Sequence, residues 1–107
     1  MYDKYLYARK TITDDESGTF ELEYYILKAS PTCYGVEIIK HQSDGNLVYT
    51  EIKSAENLCP NECSVMLLLR IISDYSVTPM GLSDIINDMM KDDRFCDIFL
   101  KNLKNVM

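Results

Sequence analysis

The sequence is short of the residue types on which most catalytic and binding motifs depend. Its 107 residues include 4 glycines and 1 histidine. It has neither a phosphate-binding loop ending in Gly-Lys-Ser/Thr nor a glycine-rich dinucleotide motif. A nucleophile–histidine pair would have to use His41. That residue stands near the predicted end of a strand, beside a tight turn, so we expect an exposed hairpin histidine. Enzymatic activity is therefore not supported by any motif.

Basic residues and long apolar runs are scarce as well. The chain has 11 Lys and Arg against 17 Asp and Glu, for a net charge of -6. Nucleic acids and anionic membranes are bound mainly through Lys and Arg. No apolar run approaches the roughly 18 residues of a membrane span. We therefore predict neither a nucleic-acid partner nor a membrane partner.

The four cysteines are interpreted from the expected compartment. The first residues lack the apolar stretch of a signal peptide, which predicts a cytoplasmic protein with reduced thiols. Cys33, Cys59, Cys63 and Cys96 could in principle form a zinc site or a redox sensor. Structural zinc usually brings two short cysteine pairs, however, and here only Cys59 and Cys63 are close in sequence. Ordinary thiols are the favoured interpretation, and we predict no metal and no cofactor.

The hydrophobic pattern changes its period near residue 54. Apolar residues alternate with polar ones before this point, which is typical of strands, and recur at helical spacing after it. This predicts one α+β domain over residues 1–107, a four-stranded, mainly antiparallel sheet of two hairpins followed by two or three helices packed on one face. The predicted strands are residues 4–12, 19–27, 34–42 and 47–53. The first predicted helix begins at Pro60 or Asn61 and ends near residue 74, the second begins at Gly81 or Ser83 and ends near residue 91, and the third covers residues 93–105.

Side-chain matching predicts the register of both hairpins. The pairs predicted for the first hairpin are Thr13–Thr19, Ile12–Phe20, Arg9–Glu23, Ala8–Tyr24, Tyr7–Tyr25, Leu6–Ile26 and Tyr5–Leu27. In the second hairpin, a three-residue loop pairs Ile38 with Ile52 and Glu37 with Lys53. We prefer it to a two-residue loop, which is expected to set Ile38 against Glu51.

Three tyrosines are candidates for partner binding. In the predicted register Tyr5, Tyr7 and Tyr25 share the sheet face opposite the core. Exposed tyrosines bury a large area at a small entropic cost and are enriched in interfaces. Tyrosine is also a favoured residue on half-exposed strands, so both interpretations stay open.

Two segments resemble a known family. They are Tyr-Gly-Val-Glu-Ile-Ile-Lys at residues 34–40 and Val-Thr-Pro-Met-Gly-Leu-Ser-Asp-Ile-Ile-Asn-Asp at residues 77–88. Together they are similar to small uncharacterised proteins of clostridia and related spore-forming Firmicutes, catalogued as a domain of unknown function. The resemblance covers about residues 24–90 and does not include the Cys59/Cys63 pair. It implies a cytoplasmic protein of a Gram-positive anaerobe, but no activity, cofactor or catalytic residue.

Three hypotheses follow for the function. The leading one is a non-catalytic interaction or regulatory module that binds a protein partner, or a second copy of itself, through the tyrosine face or an open sheet edge. The alternative is a small-ligand-binding protein or enzyme with a pocket between sheet and helices, lined by Tyr24, Tyr34 or methionines. The third is a cysteine-based redox or zinc sensor.

Overall fold

The structure, a computed structural model, describes residues 2–15, 18–44, 46–95 and 97–100. Its elements are β1 (Asp3–Asp14), β2 (Gly18–Ser30), β3 (Cys33–Asp44), β4 (Leu47–Cys59), α1 (Glu62–Asp74) and α2 (Leu82–Met90). Each strand pairs antiparallel with the next, and the sheet order is β1-β2-β3-β4. The predicted α+β fold, with hairpins first and helices second, is confirmed.

The strands are longer than predicted, and this difference leaves part of the sheet uncovered. β4 has 13 residues and extends to Cys59, which corresponds to roughly 43 Å of extended chain. α1 also has 13 residues, but a helix of that length spans only about 20 Å. Since the molecule is 45 Å along its longest axis, the helices cover only part of the length of the sheet.

The core lies between one face of the sheet and the two helices. β2 contributes Leu22 and Tyr24, which are fully buried among residues of β3, α1 and α2. The Tyr24 hydroxyl donates a hydrogen bond of 2.9 Å to the Val77 carbonyl, in the connection between the helices. A buried hydroxyl therefore keeps a partner, which removes the cost of desolvating it.

The helix boundaries follow local sequence signals. Asn61 caps α1, because its side-chain oxygen accepts a hydrogen bond of 2.9 Å from the Ser64 amide. After α1 ends, Pro79 begins a short 3-10 helix, Pro79–Gly81, that leads into α2. The predicted first and second helices, and the break between them, are confirmed.

The third predicted helix is mostly wrong where it can be checked. Asp93–Phe95 forms one 3-10 turn, and residues 97–100 are not helical. The Leu100 amide donates instead to the Leu58 carbonyl at the end of β4, 2.8 Å away. Ile98 and Phe99 are buried in the core as an irregular segment. The rest of this prediction lies outside the described residues.

The predicted register of the first hairpin is confirmed only from the turn to Ala8. A β-bulge follows between Leu6 and Ala8, after which Leu6 lies opposite Tyr25, and Tyr5 lies opposite Ile26. The predicted Tyr7–Tyr25, Leu6–Ile26 and Tyr5–Leu27 pairs are wrong. The extra residue of a bulge turns every later side chain to the other face of the sheet.

The predicted register of the second hairpin is also wrong. Asp44 lies opposite Leu47, so that two residues connect β3 and β4. Ile38 then faces Lys53, which is neither of the predicted partners. The observed register places Ile39 opposite Ile52, on the face away from the helices.

Candidate functional site

The sheet face away from the helices, called the open face below, carries charged groups that bond to one another across strands. Arg9 Nη2 donates to Glu23 Oε2 at 2.9 Å, and His41 Nε2 lies 2.8 Å from Glu23 Oε1. Glu23 is only 7% exposed. The hydrogen bonds from His41 and Arg9 hold the pKa of Glu23 below its usual range, against the opposing effect of burial.

This arrangement bears on two predictions. The Arg9–Glu23 pair is confirmed. The prediction of an exposed hairpin histidine is wrong, because His41 is half-buried and paired with Glu23. β3 continues to Asp44, so His41 lies inside the sheet rather than at its end.

A second polar group occupies the other end of the open face. Lys4 Nζ lies 2.6 Å from Glu37 Oε2, and Ser54 Oγ donates to Glu37 Oε1 at 2.8 Å. The Lys4 ammonium also lies 4.4 Å from the centroid of the Tyr25 ring. Burial, together with Glu23, raises the pKa of Tyr25. Tyr25 is thus surrounded by polar groups of its own sheet.

The three candidate tyrosines do not share a face, so that part of the prediction is wrong. Tyr25 lies on the open face, whereas Tyr7 packs against the core on the helix side. Tyr5 also lies on the helix side, next to Met66 of α1. The bulge beside Tyr7 is the physical reason, because it reverses the alternation of β1. Binding of a partner by each of these tyrosines stays a prediction.

A hollow of about 330 Å³ lies between the sheet and α1 and is called the α1 hollow below. Its lining residues are Tyr5, Ile26, Lys28, Tyr34, Glu62 and Met66. Tyr34 and a methionine therefore line a hollow between sheet and helix, as the alternative hypothesis predicted. Tyr24 does not line it; burial in the core raises the pKa of Tyr24 to about 12.

The outer side of β4, called the β4 edge below, is an unpaired sheet edge among the described residues. All β4 residues from Leu47 to Ser54 are exposed. Val48 and Ile52 lie on the open face with Thr50 between them, and they are 71% and 59% exposed. Long apolar edge strands are usually protected against pairing with other chains. From Leu47 to Ala55 the β4 edge has no bulge, and its charged residues there are Glu51 and Lys53. Near the end of the strand the Leu58 carbonyl accepts a hydrogen bond from the Leu100 amide.

A second hollow, of about 420 Å³, lies beside the β4 edge on the helix side and is called the β4 hollow below. Its lining residues are Glu51, Ile52, Lys53, Pro79, Met80 and Ser83. Met80 is 83% exposed. An apolar side chain on the 3-10 helix thus stands next to the centre of an unpaired strand.

The opposite edge of the sheet differs from the β4 edge. β1 contains the bulge and carries Lys4, Arg9 and Lys10 along its length. Bulges and basic residues are both devices that discourage pairing at an edge. β4 carries Lys53 too, but its ladder is regular from Leu47 to Ala55, whereas the bulge of β1 lies near the middle of that strand. β4 is therefore the better candidate for strand pairing.

The sequence predicts an open sheet edge but does not identify β4 or Met80. One signal was present: three consecutive apolar residues, Leu47, Val48 and Tyr49, stand in the last strand of the predicted sheet. Such a run leaves large apolar side chains on both faces. The exposure of Met80 had no counterpart in the sequence pattern.

The described cysteines have different surroundings. Cys59 is buried, and burial raises the pKa of its thiol to about 12. Cys63 is exposed, whereas Cys33 is half-buried and donates to Asn57 Oδ1 at 3.0 Å. No three His, Cys, Asp or Glu residues of the described part of the chain are placed to hold a metal ion. Cys96 lies outside the described residues, so the four-cysteine site stays a prediction.

Comparison with known proteins places the chain in a family. No helix within the described residues is long and apolar enough to span a membrane. Neither a curated protein nor a solved structure matches the chain. Residues 3–92 match a family described as "Family of unknown function (DUF6514)". Because the match covers most of the sequence, including the whole sheet and both helices, the chain belongs to the DUF6514 family.

Proposed function

We propose that this protein is a non-catalytic interaction module that binds a protein partner through the β4 edge. The observation that carries the proposal is the exposure of the β4 segment Leu47–Ser54, which no other described strand pairs on its outer side. In strand addition, backbone hydrogen bonds supply affinity, and alternate side chains supply specificity. The partner would contribute an extended segment antiparallel or parallel to β4.

The polar groups of the open face have a structural role in this proposal. The Glu23 and Glu37 groups join the strands of the sheet through hydrogen bonds and ion pairs, and the Lys4–Glu37 pair reaches from β1 across β2 to β3. They hold β3 in the position that supports β4 from its inner side. A rigid edge strand binds more tightly than a mobile one, because less conformational entropy is lost on association.

The proposed setting is the cytoplasm of a Gram-positive anaerobe of the clostridial type. The resemblance described for residues 34–40 and 77–88 supports this setting. Free thiols on Cys33 and Cys63 are consistent with a reducing compartment. Fractionation of cells that express the tagged protein tests it, and recovery in an extracellular or membrane fraction would contradict it.

The β4 edge is tested by affinity capture with two matched variants. Val48→Lys/Ile52→Lys places two charges on the open face at β4, and Leu6→Lys/Thr11→Lys places two on the same face at β1. All four positions are exposed. We expect the parent and the β1 variant to retain the same partner, identified by mass spectrometry and confirmed by direct binding of purified proteins. The β4 variant should lose it.

The circular dichroism spectrum and thermal midpoint of each variant serve as the control for folding. Retention of the partner by a folded β4 variant, at the affinity of the parent, would show that the edge is not the binding surface. Equal loss in both variants would point to the open face as a whole and would also contradict the proposal.

A second candidate function is binding of a small amphipathic molecule in the α1 hollow. Its volume of about 330 Å³ lies in the range of small-molecule sites, and its wall combines two tyrosines and a methionine with Lys28. A fragment titration followed by the Met66 methyl signal tests it, with Met66→Trp as the variant that fills the hollow. Binding that persists unchanged in Met66→Trp, or no binding by any fragment, would contradict this function.

A further inference from the structure

We propose that the strand that pairs with β4 is β4 of a second copy, antiparallel and centred on Ile52. The inference rests on the proposed function and names its partner. The resulting dimer would contain one continuous eight-stranded sheet, with the helices of both copies on the same side. A homodimer formed in this way has a twofold axis and a self-complementary interface.

Symmetry restricts the possible registers. Two antiparallel edge strands in one sheet are related by a twofold axis perpendicular to that sheet. The axis passes between one residue and its own copy, and residues at equal distances on either side of this centre lie opposite each other. Opposed residues point to the same face of the sheet, so their positions in the sequence differ by an even number. The centre of each possible register is therefore a residue of β4 and not a peptide bond between two residues.

The charges of β4 select the register. With Ile52 at the centre, Glu51 lies opposite Lys53 of the second copy, and Lys53 lies opposite the second Glu51. Centring the pair on Glu51 or on Lys53 instead places two like charges in direct opposition, which is destabilising. A centre at Thr50 or Ser54 leaves both charges opposite uncharged residues. Only the Ile52 register uses the sequence Glu-Ile-Lys in a self-complementary way.

The apolar groups agree with the same centre. On the open face the two Ile52 side chains meet, which removes from solvent a residue that is 59% exposed in the single chain. On the helix side the β4 hollow spans Glu51, Ile52 and Lys53, with Met80 at its wall. The two hollows would therefore adjoin at the twofold axis, where Met80 of each copy covers the paired strands. Charge pairing and apolar burial thus point to one position on β4.

Charge reversal tests this register. Glu51→Lys and Lys53→Glu each convert two unlike pairs of the dimer into like pairs, whereas Glu51→Lys/Lys53→Glu restores both unlike pairs in reversed order. Asp88→Lys on the exposed side of α2 changes the net charge as Glu51→Lys does and is the control. The dissociation constant of the purified full-length chain is measured by sedimentation equilibrium.

We expect the parent to dimerise reversibly with a dissociation constant below about 1 mM. Each single reversal should weaken the dimer at least about tenfold, and the double reversal should return it to within a few-fold of the parent. Within one chain, Glu51 also lies opposite Lys40 of β3. In the double variant, the lysine at position 51 still lies opposite Lys40, so an unfavourable contact inside the chain remains. Recovery of dimer affinity in this variant would therefore come from pairing between the copies.

Two results would overturn the inference. One is a parent that stays monomeric up to about 1 mM, and the other is a dimer that tolerates both single reversals. If the parent is monomeric but captures another protein that the Val48→Lys/Ile52→Lys variant does not capture, the partner is not a second copy. The β4 edge would then still be the binding surface. A dimer that Val48→Lys/Ile52→Lys leaves unweakened would overturn both the inference and the proposed function, because the two copies would then meet elsewhere.

Hydrogen exchange of the parent provides a test without any substitution. Raising the protein concentration through the dissociation constant should slow amide exchange in β4 and leave β1 unchanged. Concentration-dependent protection of β1 rather than β4 would contradict the assignment of the edge.

Discussion

Lys10 illustrates how a single residue that breaks a pattern can have a structural reason. It lies between Ala8 and Ile12, two apolar residues on the helix side of β1 that pack against the core. In the structure its ammonium donates 2.8 Å hydrogen bonds to the Ser73 carbonyl and to Ser76 Oγ, at the end of α1. The Ser73 carbonyl also accepts from the Ser76 amide at 3.0 Å, so Lys10 adds a second hydrogen bond there. A cation at the C-terminal end of a helix also interacts favourably with the helix dipole.

Replacement of Lys10 by methionine is therefore expected to destabilise the fold. Lys10→Met keeps the apolar stem but removes both hydrogen bonds, and we expect a loss of about 1–2 kcal/mol in the free energy of unfolding. Lys10→Arg should recover part of this loss. Urea denaturation of the three proteins is the measurement, and equal stability of Lys10→Met and the parent would contradict the assigned role.

Glu23 makes the stability depend on pH. Its pKa is lowered in the folded state, so its contribution is complete above the unfolded pKa of roughly 4.3 and is lost as the pH falls through the lower folded value. Glu23→Gln should lose about 1 kcal/mol at neutral pH, since its partners are partly solvated. Its free energy of unfolding should also fall less steeply than that of the parent below about pH 4.

A neighbouring carboxylate provides the control for this measurement. Glu21 lies on the same strand and face, 3.5 Å from Arg9, but is more exposed than Glu23. Exposed ion pairs contribute little to stability. Glu21→Gln should therefore retain the pH profile of the parent, and a profile in which Glu21→Gln rather than Glu23→Gln is the flatter one would contradict this account.

At the scale of the elements, β3 and β4 lie close together at Gly35. A Cβ atom built there would lie 2.4 Å from the Ala55 carbonyl oxygen, which belongs to the backbone and cannot move aside. The register of the two strands shifts in this region, between Val36 and Tyr34. Glycine is therefore required for the path that takes the end of β4 towards α1.

Gly35→Ala should destabilise the fold by about 2 kcal/mol, because the strands must separate to admit the methyl group. Gly81→Ala is the matched control, since the nearest atom to its Cβ would be Val77 Cγ1 at 3.7 Å, an ordinary contact. Its effect should be small. Chemical denaturation measures both, and a Gly35→Ala variant as stable as Gly81→Ala would contradict the close approach.

The sequence determines the type and order of the elements better than their register. Alternation identifies all four strands, and capping and proline positions identify both helices. The bulge is different, because Tyr5, Leu6 and Tyr7 are all large side chains that fit either face of a sheet. A register slip there changes no polar residue into a buried one, so the pattern contains no signal against it.

The candidate site was less predictable than the fold for a similar reason. The run Leu47-Val48-Tyr49 has no alternation, so matching of side chains could not fix the β3–β4 register. Exposure of Ile52 follows from its place on the open face of an edge strand, and exposure of Met80 follows from how the 3-10 helix packs beside β4. Both are properties of the packed molecule and not of any local segment.

At the scale of the whole molecule, a long sheet carries a short helical layer. The molecule measures 45 × 29 × 21 Å, and the helices protect one face over part of that length only. One edge strand, β1, is interrupted by a bulge near its middle, and the other, β4, is regular from Leu47 to Ala55, with Glu51 and Lys53 on either side of Ile52. A fold of this shape has one edge suited to pairing and one edge protected from it.

The most direct test of the β4 edge and of its partner is a symmetric cross-link at Ile52. In the proposed dimer the two copies of residue 52 are directly opposed, at a Cα separation of about 4.5–5.5 Å, which suits a disulfide. Ile52→Cys, made in a Cys63→Ser background, should give a covalent dimer under mild oxidation. Thr50→Cys and Ser54→Cys in the same background should not, since each lies about 13 Å from its own copy. Failure of Ile52→Cys to cross-link, or equal cross-linking at all three positions, would contradict the account.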